Sequence, residues 1–429
     1  MRTLGFLPVV VAGIMMSLFV SCSKDPRTNE LEADVLSNAS SEMEEVVMLR
    51  SAVEALDEVD EVALDYCNNA KTIMYATEAF ERPSTFVSYE DMDDNYEQSS
   101  ENPVSLKLQS LDIVDDGTGD GVNFYDLPLD QKQIFADMLL VEEAKAISEK
   151  MDEIPGLREI VRNENIATQR VIERNNFDEK RVSYIDLNAL RSGASGEVDV
   201  KKFFQELTQE IALQHESEGN VPTLRGGEIS FSYPIVDVSK VRSAWAKYSR
   251  RGDFVLALPV HGRPWNYFNI GKNVKFSVGH AGIIAQNITE STLKTKKGST
   301  IECWKKSGVE EESISLWNTP HYIMGIQKVK WVWRWRGFRS GLYKETYPVS
   351  NPGALADWAA RYKGHEYVKW YEFMTAKWFA PKRFTCTTLV WWCAKKAYGI
   401  NVSGWYTPLV TPSGLLLDSS TYVRHEIKN

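Results

Sequence analysis

Hydrophobic positions follow two regimes along the chain. From about Met43 to Ala79 they recur at threes and fours (Val46, Leu49, Val53, Leu56), the spacing of one helix face. The same period returns over Leu129–Ile147, Leu157–Glu173 and Val198–His215. Residues 82–124, rich in Ser, Asp, Asn and Gly, read as an irregular connection, and the Asp/Gly run at 115–121 lacks the spaced ligands and closing glutamate of a calcium loop. After Pro222 the segments shorten. Gly226-Gly227-Glu228 leads into Ile229–Val238, a helix-like Ser239–Arg250 follows, and Phe254–Leu258 reads as a strand after the Arg251-Gly252-Asp253 turn. Val274–Ala285 reads as a strand broken by Gly279 and Gly282 on either side of His280, and glycine inside a strand marks close approach by another backbone or a ligand. Ser299–Trp304 reads as its neighbour and carries one carboxylate, Glu302, in an apolar setting. Lys328–Arg336 alternates with period two, placing Val329, Trp331, Trp333 and Trp335 on one face and Lys328, Lys330, Arg334 and Arg336 on the other. That pattern fits a strand with a tryptophan core face and a solvated edge, or else a basic aromatic surface for an anionic polymer. Pro352–Tyr362 reads as a helix.

Phe384–Gly399 reads as one further helix with a cysteine in its first turn. Thr385 supplies a capping hydroxyl, Gly399 the left-handed residue that ends a helix, and Leu389, Trp392, Cys393 and Ala397 a buried stripe at helical spacing. Cys386 falls where unpaired amides and the positive end of the helix dipole favour a thiolate, a common preparation of a sulfur nucleophile. A small buried hydrophobe would occupy the same position equally well.

Charge divides the 429 residues unevenly. Residues 1–225 hold 20 basic and 45 acidic side chains, and residues 226–429 hold 29 and 14. All 13 tryptophans lie in the second half. This asymmetry predicts two domains of different chemistry, an acidic, mostly helical one over 43–225 and a second over 226–429. At the start, Arg2 precedes an apolar run from Leu4 to Val20, which reads as a signal peptide over 1–21. Phe19-Val20-Ser21-Cys22 resembles a bacterial lipobox, with Phe19 where leucine is usual, so Cys22 is expected to carry the lipid and 22–42 to form a flexible tether. The expected location is the outer membrane of a Gram-negative bacterium, with membrane attachment through that anchor. Cys67, Cys303, Cys386 and Cys393 remain, and their spacing resembles no disulfide framework. Cys386 and Cys393 lie roughly 10 Å apart along one helix, too far to bridge. Paired CxxC and HExxH motifs are absent and the six histidines are scattered, so no metal or other cofactor is expected. The basic residues form no recognised nucleic-acid motif, and no nucleic-acid partner is expected.

A cysteine hydrolase needs a thiolate, a histidine to move a proton, a polar group to orient that histidine, and donors for the oxyanion. Cys386, His280 and Glu302 provide the first three types, and adjacent strands would set His280 beside Glu302. On spacing alone Glu302 fits a salt-bridged or strand-edge carboxylate equally well. His321, His365 and His425 lie in polar, loop-like contexts that suggest the surface.

The order Gly252-Asp253, Gly279-His280-Ala281-Gly282-Ile283, Ile301-Glu302, Gly364-x-x-Tyr367 and Phe384-Thr385-Cys386-Thr387-Thr388-Leu389-Val390 resembles the circularly permuted papain-like amidases of the YiiX/YaeF type, relatives of the NlpC cell-wall endopeptidases. Thr411–Leu416 is similar to that group's closing segment, while Thr387 stands where such families often carry serine. The resemblance covers roughly residues 228–429. It implies an α+β fold in which a small antiparallel sheet packs on the cysteine helix. It also implies Cys386 as nucleophile, His280 as base, Glu302 as the group that orients it, and Tyr367 near the oxyanion. The expected reaction is amide hydrolysis through an acyl-thioester, on a cell-envelope peptide such as a peptidoglycan stem. A lipid-amide or acyl-ester substrate, or a binding lipoprotein without chemistry, are the rival expectations. Contact of the acidic helical part with the basic half is expected within the chain.

Overall fold

The computed structural model describes residues 59–76, 112–115, 121–123, 129–175, 206–207, 210–211, 214, 223–225, 228–230, 235–258, 267–270, 274–277, 279–289, 298–336, 339–367, 383–403 and 410–428. The signal segment, Cys22, the tether and the helical pattern before residue 59 lie outside them. The chain from Ala52 to Asn429 forms one compact unit.

Helices come first. They are α1 (Glu61–Ala76), α2 (Leu129–Glu153) and α3 (Leu157–Asn175), with β1 (Asp112–Asp115) and β2 (Gly121–Asn123) between α1 and α2. Asp60 accepts the N–H of Val62 at 3.0 Å and so caps α1. Asn165 of α3 donates to the carbonyl of Val62 at 2.8 Å, tying the two helices together. β1 and β2 correct the reading of 82–124 as wholly irregular. They pair antiparallel, and β1 runs parallel to Trp331–Trp333, so a distant strand supplies the partner that local composition does not announce.

The second half contributes β3 (Thr223–Arg225), β4 (Glu228–Ser230), α4 (Val238–Tyr248), β5 (Phe254–Ala257), β6 (Tyr267–Ile270), β7 (Val274–Ser277), β8 (His280–Ile284), β9 (Ser299–Trp304), β10 (Gly308–Ser313), β11 (His321–Arg336) and β12 (Arg339–Pro348), then α5 (Ala354–Arg361), α6 (Cys386–Tyr398), α7 (Pro412–Leu417) and β13 (Thr421–Ile427). Six strands in the order β10-β9-β8-β5-β11-β13 pair antiparallel throughout. β12, β1 and β2 extend the same sheet from the far end of β11. The architecture is therefore α+β, with N-terminal helices followed by an antiparallel sheet and its packed helices. Val274–Ala285, expected as one strand, is two. β7 pairs with β6 in a separate ribbon, and β8 enters the main sheet after the left-handed Gly279.

One face of the sheet carries a core of Val241, Trp245, Val255, Ala257, Ile284 and Trp317. Against the strands also lies α6, held at its start by a capping box in which Thr385 and Thr388 exchange side-chain and backbone bonds, and ended by Gly399 at φ 70°. Its first nine residues, Cys386–Ala394, are all buried, so the helix is enclosed all round rather than along the expected stripe, and Ala397 is only half-buried. On β11, Lys328 and Lys330 are exposed while Val329 is half-buried and Trp331 buried, the alternation of a strand with one solvated face.

The helical part meets the segment after α6 through buried polar groups. Ser413 donates to Glu164 at 2.5 Å, Ser419 to Glu143 at 2.8 Å, and Lys150 to the carbonyls of Leu416 and Thr421 at 2.8 and 3.0 Å. Val410, at the start of that segment, accepts from Thr387 of α6 at 2.7 Å, and Pro412 lies beside Gly279.

Candidate active site

Local sequence builds the histidine's strand first. Gly279 has φ 80°, and a Cβ there would stand 2.3 Å from the carbonyl oxygen of Ala257. A Cβ on Gly282 would press at 3.0 Å on both Glu302 and Trp317. The two glycines around His280 thus answer a backbone and a pair of side chains, as glycine within a strand leads one to expect. The Gly252-Asp253 turn anchors the far end of the strand. The carbonyl of Asp253 accepts from Ile284 at 2.8 Å, its carboxylate holds Arg424 at 3.0 Å, and Gly252 has φ 87° against the carbonyl of Pro352.

His280 and Glu302 are fully buried and meet at 2.5 Å through Nε2 and Oε2. The other carboxylate oxygen, Oε1, accepts from Trp317 Nε1 at 2.6 Å and from the hydroxyl of Thr300. The imidazole packs against two indoles, 4.3 Å from Trp304 and 5.5 Å from Trp317 by ring centroids, both inclined by about 30°. Thr300, Glu302 and Trp304 are alternate residues of β9 and share a face.

Cys386 meets this strand at its backbone. β8 and β9 pair at Ile283–Ile301 and Ile284–Thr300 and no further toward His280. There the N–H of Ala281 turns to the sulfur, joined by the helix-start amides of Cys386 and Thr387. Cys303, whose side chain points to the opposite face from Glu302, donates to the carbonyl of Phe384 at 2.9 Å and fastens the strand to the entry of α6. The expectation of a resting thiolate is corrected. The amides pull the thiol down, but burial outweighs them and the nearby Glu302 charge adds to it, pushing Cys386 up to about 11. Cys386 is 7% exposed.

Tyr367 lies at the entry of α6. It forms a parallel bridge with Phe384, and burial together with the charges of Cys386 and Cys303 holds its hydroxyl well above the usual range. The structure therefore brings His280 to Glu302 directly, Cys386 to the residue after His280, and Tyr367 to Phe384, two residues before Cys386.

The rival histidines divide. His365 is half-buried in the turn after α5, as a loop residue should be. His425 is half-buried on β13 and stacks on Tyr248 at 3.8 Å, so it is a strand residue rather than a loop one. His321, expected at the surface, is fully buried at the start of β11, where Trp245 donates to its Nε2 at 3.0 Å and Thr319 O lies 2.7 Å from its Nδ1. Its polar neighbours in sequence misled, because the strand turns it inward against two tryptophans. Thr300 was open to discovery through its period-two spacing from Glu302. Trp317 carried no such sign, since it arrives from a 3-10 turn, Ile314–Leu316, after β10. Cys67, Cys303, Cys386 and Cys393 are all buried, and none of the four is joined in a disulfide.

No family model matches this chain, and no curated protein and no solved structure matches it either.

Proposed function

We propose that this chain is a cysteine hydrolase of amide bonds, with Cys386 as nucleophile and His280 as base. The observation that carries the reading is the fully buried His280–Glu302 pair at 2.5 Å, with the N–H of Ala281, the residue after His280, directed to the sulfur of Cys386. With Nε2 directed to Glu302, proton exchange with the sulfur falls to Nδ1. Because burial keeps the thiol protonated, His280 takes the proton as attack proceeds, and the three amides stabilise the sulfur's charge while it lasts. Sulfur bonds to the substrate carbonyl carbon. The imidazolium, balanced by Glu302, returns its proton to the leaving amine as the C–N bond breaks. Water then cleaves the acyl-thioester, and Cys386 leaves protonated. In this reading Tyr367, bridged to Phe384 near the start of the cysteine helix, donates to the carbonyl oxygen.

The order of parts along the chain, histidine strand, carboxylate strand and then cysteine helix on an antiparallel sheet, supports a permuted papain-like domain. In this reading the protein is an exported lipoprotein of the outer membrane, anchored through Cys22, and its substrate is a peptidoglycan stem peptide. Incubation of the full chain with soluble muropeptides, read by mass spectrometry, tests it. New amino termini that disappear in Cys386→Ala and His280→Ala are expected. Release of fatty acid from lipid amides instead would transfer the same chemistry to a lipid substrate. Cleavage of neither, by a folded protein, would leave a binding lipoprotein and end the hydrolase reading.

A further inference from the structure

We infer that Trp317 and Thr300 are positioning residues that hold Glu302 as an acceptor and thereby fix His280 as its Nε2–H tautomer. An indole N–H can only donate, so the 2.6 Å bond from Trp317 Nε1 requires Oε1 of Glu302 to be an acceptor. The same N–H also lies 3.3 Å from Thr300 Oγ1, which occupies that hydroxyl as an acceptor and directs its own hydrogen to Oε1. Two donors on one oxygen favour the carboxylate form. The remaining oxygen, Oε2, then accepts from His280 Nε2 at 2.5 Å, and the imidazole must carry its hydrogen there. Were Glu302 protonated, the proton would sit on Oε2, point at Nε2 and drive the imidazole to its Nδ1–H form. Nδ1, the nitrogen needed as base, would then be blocked. Gly282 leaves room for this arrangement, since a Cβ there would press at 3.0 Å on Glu302 and Trp317 together. The consequence for catalysis rests on the hydrolase reading; the tautomer does not.

The test is a long-range proton–nitrogen correlation spectrum of the full chain labelled with ¹⁵N-histidine, recorded from pH 5 to 9. His280→Ala identifies the signal. Trp317→Phe keeps an aromatic ring and removes the N–H; Thr300→Val keeps the volume and removes the hydroxyl. Wild type is expected to show neutral His280 as Nε2–H, each single variant a mixture, and the double variant chiefly Nδ1–H. Muropeptide cleavage is expected to fall about tenfold for each donor lost, the scale of a hydrogen bond to a charged group. If Trp317→Phe does not fold, Thr300→Val decides alone. An Nδ1–H wild type, or one unchanged tautomer across folded variants, overturns the proposal. A shifted tautomer with cleavage indifferent to His280→Ala would keep the positioning and overturn the hydrolase reading. Cleavage that needs Cys386 and His280, beside a tautomer no variant moves, would do the reverse.

Discussion

His280 and His321 are both fully buried, and both lie against Trp317, at ring-centroid distances of 5.5 and 5.0 Å. Their partners separate them. His321 Nδ1 faces a carbonyl and must donate, while Nε2 faces the indole N–H of Trp245 and must accept. That histidine is neutral, and a proton added to Nε2 would meet another N–H. His280 faces a carboxylate, so an added proton is balanced by charge. Burial is the same at the two sites. The sign of the neighbour's dipole or charge decides which ring can cycle a proton.

Four substitutions or titrations sharpen that contrast. The largest effect belongs to His280→Ala, which should lower muropeptide cleavage by about 10²–10⁴, the range of a positioned general base, with the melting temperature moved far less than the rate. His321→Leu should do the opposite. It leaves the indole of Trp245 and the carbonyl of Thr319 without their buried partner, so urea denaturation should report a loss of about 2–4 kcal/mol, with turnover per folded molecule retained. Equal loss of turnover in both variants would erase the distinction.

Next comes Glu143, a buried carboxylate to set against Glu302. It takes the hydroxyl of Ser419, but burial first and the charge of Asp418 second push it up to about 7 from an ordinary 4.5. The folded state therefore holds a proton that the unfolded chain releases. Stability from this group is fully present below about 4.5 and lost as pH rises through about 7, on the order of 3 kcal/mol. Glu143→Gln should flatten the urea midpoint between pH 5 and 7.5; a slope unchanged from wild type would refute this assignment.

The smallest effect compares two cysteines on α6. Cys386 receives three amides, while Cys393 is raised by burial alone, well above the usual thiol range. Alkylation of Cys386 by iodoacetamide should rise about tenfold per pH unit from 7 to 10, as for a thiol near 11, and Cys393 should stay unmodified in the folded protein. A fast reaction at pH 6 would instead reveal a standing thiolate–imidazolium pair.

Much of the site was legible because it is written in short-range rules. Thr385 and Gly399 mark the ends of α6 through capping and the left-handed residue, and that alone places Cys386 in a first turn. Glycines at 279 and 282 announced that something approaches His280 closely. Adjacent short strands were enough to suggest the His280–Glu302 contact. The misjudged elements depend on partners far along the chain. Residues 112–115 become a strand because Trp331–Trp333 offers an edge, and His321 turns inward because Trp245 and Trp317 converge on it. The thiol of Cys386 was misjudged for a similar reason, since the dipole of a helix start is local while the enclosure that outweighs it is not.

What the sequence by itself determined is therefore the helices and short strands with local signals, the caps of α6, and the candidates Cys386, His280, Glu302 and Tyr367, since backbone sterics and hydrogen-bond capping act over a few residues. Only the tertiary structure decided the donors on Glu302, the indoles around His280, the protonation of Cys386 and the fate of His321. Each of these depends on desolvation and on the direction of a dipole brought from another strand or turn, and neither quantity exists until the sheet has closed.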